Sequence, residues 1–196
     1  MPVRLLPPAP RLPDTREVLR CDLDPDLAAV FRTCDGGDVW KLALDGCSEA
    51  SKTELIADNL SARRLMDEPL TEQLVIYAQY AYQAAHLCCV PSITTGDQFQ
   101  SVVFADFNEA PIIKPIASRV DRAFGLIASY LHRLAQSGLP IDDAAAELTF
   151  PDAVADLIAE DQDLVAALSS LRFSKLTRHP ASESFVDKIL QATSKR

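Results

Sequence analysis

Apolar and polar positions alternate along this chain with a period close to that of a helix over most of its length. The clearest case starts at Pro115: Ile116, Val120, Ala123, Ile127, Tyr130 and Leu134 recur at spacings of three and four. Arg119, Arg122, Ser129, His132, Arg133 and Gln136 fall mostly off that stripe. The pattern predicts an amphipathic helix opened by Pro115 and closed by Gly138. Shorter stretches predict helices over 141–148, 151–159, 164–171 and 182–193, punctuated by Pro140, Pro151 and Pro180.

Nearer the start, Asp24-Pro25-Asp26 reads as a cap, a first helical position and an acid facing the helix dipole, predicting a helix to about Thr33. Ser51-Lys52-Thr53-Glu54 has the form of a capping box for a helix to about Met66. Asp97 is the expected cap of a helix carrying Phe99, Val102, Val103 and Phe107, although 98–107 also has strand character. Trp40, Leu42 and Leu44 alternate within 38–45, which favours a short strand over a helical turn.

One segment breaks the pattern. Residues 73–96 contain no Asp, Glu, Lys or Arg in a chain that is 24% charged, and they hold Tyr77, Tyr80, Tyr82, His86, Cys88 and Cys89. A helix over about 71–89 with so little charge needs cover on most sides. Gln79, Gln83 and His86 lie inside it and Pro91 ends it, so it reads as a buried helix rather than a membrane span. The expected fold is therefore all-α: an irregular multi-helix domain over 17–196 around this central helix, preceded by a proline-rich extended arm over 1–16.

Charge refines the picture without identifying a function. The net charge is −9, which disfavours non-specific binding to nucleic acid or an anionic membrane. A local arginine patch of Arg119, Arg122 and Arg133 is where nucleic acid would be met. Between Leu134 and Leu171 there are eight acids and no Lys or Arg, whereas the C-terminal stretch is basic. Five cysteines is an odd number, and Pro7, Pro8, Pro10 and Pro13 interrupt any apolar core of a secretion signal. These features predict free thiols in the cytoplasm or another reducing compartment, with a virion as a further setting.

Candidate chemistry is sparse. Cys21, Cys34 and Cys47 are too far apart to form the close thiolate pair of a structural zinc site. Asp22-Leu23-Asp24-Pro25-Asp26 begins like a calcium loop but lacks its glycine and its final glutamate. His86 and Cys89 would be neighbours on a helix, and His132 would face outward on another; these are the residues of an enzyme or phosphotransfer alternative. No catalytic, cofactor or metal residues are assigned. Arg4-Leu5-Leu6-Pro7-Pro8-Ala9-Pro10 fits a proline-recognition ligand.

The sequence favours a non-catalytic structural or adaptor subunit that assembles with itself or another protein, a coat or shell protein included. Its interface candidates are Arg4, Pro7, Pro8, Pro10, Tyr77, Tyr80 and Tyr82. A third alternative is an acidic inhibitor or immunity-type protein that blocks a basic partner.

Overall fold

A computed structural model describes residues 3–48, 54–65, 70–80, 85–96, 98–108 and 110–194. The fold is mixed α/β rather than all-α: seven antiparallel strands form one sheet, and each is hydrogen-bonded to its neighbours in chain order. The elements are β1 (Val3–Leu5), α1 (Thr15–Leu19), α2 (Pro25–Thr33), β2 (Gly37–Val39), β3 (Leu42–Leu44), α3 (Leu55–Leu65), β4 (Val75–Tyr80), β5 (Ala85–Thr95), β6 (Phe99–Asp106) and β7 (Ile112–Ala117). They are followed by α4 (Val120–Gln136), α5 (Ile141–Glu147), α6 (Ala155–Ile158), α7 (Gln162–Ser169) and α8 (Pro180–Ser194).

The largest correction concerns the uncharged segment. It is not a helix over 71–89 but two central strands, β4 and β5, paired with Val75 opposite Cys89 and Tyr80 opposite Ala85. Val75, Ile76, Tyr77, Tyr80, Val90, Ile93, Thr94 and Thr95 are β-branched or aromatic and suit a pleated surface. Strands buried on both faces lose the period-2 alternation and cannot be told from a buried helix by pattern alone. The same correction applies at 98–107, where β6 replaces the expected helix. Pro115 does not open a helix; it lies in β7, the terminal strand, where a missing N–H is tolerated.

Other expectations fit. Asp24 caps α2, its Oδ1 accepting from Asp26 N at 2.9 Å and from Leu27 N at 3.2 Å. The 38–45 segment forms β2 and β3. Of the predicted stripe, Val120, Ala123, Tyr130 and Leu134 are buried on α4, while Ile116 is buried in β7. The C-terminal helices fall close to where the prolines place them. The capping residues 51–53, Asp97, Tyr82 and Gln83 lie outside the described residues. No described helix is long and apolar enough to cross a membrane.

The N-terminal arm is fastened by its own chain. Leu6 N donates to Gly36 O at 3.1 Å, Asp35 N to Pro7 O at 2.8 Å and Ala9 N to Phe31 O at 2.8 Å. Gly37, opposite Leu5, has φ of +146°, and a Cβ there would meet Arg4 O at 2.2 Å. Only glycine lets the two backbones approach this closely.

Where β3 ends, the side chain of Asn59 takes its place beside β4. Its Nδ2 donates to Ile76 O at 2.7 Å, and its Oδ1 accepts from Ile76 N at 2.9 Å. On the sheet face shared by Tyr80 and Phe104, an aromatic cluster gathers Trp40, Tyr80, Phe104, Tyr130 and Phe150.

Candidate functional site

The two ends of the sheet are built differently, and the difference locates the candidate site. At the far end, α7 and α8 pack against β7. Ser182 Oγ on α8 accepts from Ile113 N at 2.9 Å, which satisfies a backbone donor of the last strand. Lys114 is held by Asp152 at 2.5 Å and lies 5.3 Å from the ring centre of Phe185.

At the near end, β1 is the terminal strand and all three of its residues are exposed. Val3 is 58% and Leu5 52% exposed. Beside β1 runs a groove of about 620 Å³, bounded by α2, α4 and strands β2 and β3. Leu5, Val30, Val39, Leu42, Phe124 and Ile127 supply its apolar lining, and Asp26 and Asp121 stand at its rim. An open strand edge next to an apolar groove is the geometry by which a sheet accepts an added strand, with backbone bonds for affinity and a pocket for side chains.

Sequence reasoning missed this groove because its walls come from segments about a hundred residues apart. One signal was present. Phe124 and Leu131 lie beside Ile127 of the predicted stripe and widen the apolar face of α4 beyond that stripe, more than a single packed face requires.

The interface candidates separate into two groups. Arg4, Pro7, Pro8 and Pro10 are exposed along the arm, and Leu5 between them lines the groove. Tyr77 and Tyr80 are not surface tips of a helix. Tyr77 is 1% exposed and its ring lies 6.3 Å from Phe124. Burial raises its hydroxyl pKa well above the usual value, and the hydroxyl has no hydrogen-bond partner among the described residues. Tyr80 OH donates to Tyr130 OH at 3.4 Å, which in turn donates to Leu148 O at 2.8 Å.

The arginine patch is occupied by carboxylates of the same chain. Arg119 holds Asp26 through two bonds of 3.2 and 3.1 Å and stacks 3.5 Å from the ring centre of Phe99. Arg122 lies 3.6 Å from Asp161, and Arg133 grips both oxygens of Asp156 at 2.9 and 2.7 Å. The three guanidiniums thus clamp elements together and do not line one open groove.

The residues of the catalytic alternative are not brought together. His86 and Cys89 sit three apart on β5, so their side chains leave opposite faces of the sheet rather than one face of a helix. Burial pushes the Cys88 and Cys89 thiols up, away from the thiolate that nucleophilic chemistry needs. Cys47 is pushed up to about 12, by burial first and then by Asp35 and Glu54. His132 is exposed on α4. All five cysteines are free.

Of the eight acids between Leu134 and Leu171, Asp142, Asp143, Glu147, Asp156, Glu160 and Asp163 are exposed, whereas Asp161 is buried as the cap of α7. Asp161 also accepts from Ser118 N at 2.7 Å, joining α7 to the end of β7. No protein-family model matches the chain, and no curated protein matches it in sequence.

Proposed function

We propose that this chain is a non-catalytic adaptor or inhibitor that docks a basic protein, taking an apolar extended segment of that partner into the groove beside β1. The carrying observation is the coincidence of an open sheet edge with an apolar groove at one end of a sheet whose other end is covered. Charge argues for the partner's character. A second copy of a chain carrying −9 is repelled at long range, while a cationic partner is drawn in. The exposed acids Asp143 and Glu147 of α5 and Asp163 of α7 add to that attraction.

Self-assembly into a coat or shell has less support. Tyr77 and Tyr80 are engaged inside their own chain, and so is the backbone of the arm. The raised thiol pKa values and the separation of His86 from Cys89 favour binding over catalysis. Five free thiols fit a reducing compartment.

The test uses short fluorescent peptides of alternating valine and threonine, flanked by lysines or by glutamates. The lysine-flanked peptide is expected to bind and the glutamate-flanked peptide to bind more weakly. Leu5→Lys and Ala128→Glu, both in the groove, are expected to abolish binding without unfolding the chain. Equal binding of both peptides, or binding indifferent to the groove substitutions, would contradict the proposal. Light scattering after size exclusion distinguishes a second copy as occupant, because a stable dimer would replace the basic partner.

A further inference from the structure

A second cleft lies away from the groove and shares no lining residue with it. Its origin is a break in the pairing of β5 with β6. Val90 pairs with Ser101 and Thr94 with Gln100, so Pro91, Ser92 and Ile93 are extra residues on one strand. Such a bulge re-aims side chains and opens the sheet locally. Here it faces the turn between α1 and α2. Two adjoining cavities, of about 750 and 490 Å³, share Arg20, Cys21, Pro91 and Ser92 in their linings.

The linings of the two cavities carry three arginines, Arg16, Arg20 and Arg63. Arg16 lines one cavity and is paired with Asp22 at 2.5 Å. Arg63 lines the other. Its Nε is buried and has no hydrogen-bond partner among the described residues. Arg20, shared by both, is exposed and held at a φ of 61°, with no ion pair among the described residues. The field of Arg63 is felt at the neighbouring thiol: burial raises the Cys21 pKa, and Arg63 opposes that rise. Glu72 is the other carboxylate in the lining besides Asp22.

Arg20 and Arg63 both line the smaller cavity, and an oxyanion is the partner that a guanidinium's planar fork fits best. The cleft is far larger than one phosphate and lies in the range of small-molecule sites. Ser92, Thr94 and Gln98 offer donors and acceptors to the remainder of a polar ligand.

We infer that this cleft binds a small polar organic molecule through an oxyanionic group, with Arg63 and Arg20 holding the oxyanion and Ser92, Thr94 and Gln98 meeting its polar body. The site does not depend on the docking groove, and either can fail without the other.

The test is an amide NMR titration of the full chain with glucose 6-phosphate, gluconate, inorganic phosphate and glucose. At least one organic anion is expected to give saturable shifts at Cys21 and Ser92, while glucose gives none. Arg63→Gln is expected to weaken the interaction at least about 10-fold, the loss of a charge-assisted contact. Arg20→Ala, at an exposed position, should weaken it in the same sense while leaving the spectrum of the free protein folded. Asp143→Asn, on α5, should leave affinity unchanged. The proposal is overturned if no anion gives saturable shifts, if glucose binds equally well, or if neither arginine substitution weakens binding. Phosphate binding as tightly as the organic anions would overturn the assignment of a polar organic body.

Discussion

The last strand of the sheet and the first face opposite circumstances. β7 is backed by two helices; Ser182 meets one of its backbone donors, and the buried ring of Phe185 lies beside Lys114. β1 is three residues long, exposed throughout, and bordered by a groove rather than by a helix. An open edge invites association, and proteins commonly shorten, charge or cover it. Here the far edge is covered. The near edge is kept short, carries Arg4 between Val3 and Leu5, and is pinned to its neighbour through Gly37. One end thus serves stability, and the other is the end at which we propose that a partner docks.

The largest expected effect lies at the covered end. Phe185→Ala removes a side chain that is 3% exposed and should destabilise the fold by about 3–5 kcal/mol, read from urea unfolding. A loss under about 1 kcal/mol would mean that α8 does not seal the edge. At the open end, Gly37→Ala drives a Cβ into the Arg4 carbonyl and should cost about 1–3 kcal/mol. It should also speed amide exchange in β1 before any change in β7, and peptide docking should be lost with it. Ser182→Ala leaves Ile113 N without its buried acceptor, at a cost of about 1–3 kcal/mol. Faster exchange confined to Ile113 and its neighbours would sharpen the contrast between the two ends.

The smallest effect is electrostatic. Arg133 clasps Asp156 and, chiefly through that hydrogen bond, holds its carboxyl below the usual range. A depressed folded-state pKa contributes stability above the unfolded value and loses it as pH falls through the folded one. The window therefore lies below about pH 4. Because the side chains are 34% and 56% exposed, the contribution should not exceed about 1 kcal/mol. Asp156→Asn should lower stability at neutral pH by up to that amount, leave stability at low pH nearly unchanged and so flatten the acid limb; an equally steep acid limb would show that the clasp contributes nothing.

Legibility in the sequence followed the same division of the molecule. The amphipathic C-terminal helices were readable because each is half solvated, so period and punctuation survive in the residues, and the Asp24 cap because it acts on the backbone of its own segment. The central strands were not, because burial on both faces removes the polar positions that would mark a period of two. At 98–107, Phe99, Val102, Val103 and Phe107 happen to match helical spacing, although Phe99, Val102 and Val103 lie in β6. Asn59 and Gly37 gave no sign of their roles, since each acts on a backbone distant in sequence. The charged clamps of Arg119, Arg122 and Arg133 read as an open patch for the same reason: the acids that occupy them come from other elements.

The most direct test is amide hydrogen exchange with and without the lysine-flanked peptide. Slower exchange at Val3–Leu5 and along the groove-facing residues of α4, with β7 and α8 unchanged, is the predicted result. Unchanged exchange in β1 at saturating peptide, or protection centred on β7, would contradict docking at the open edge.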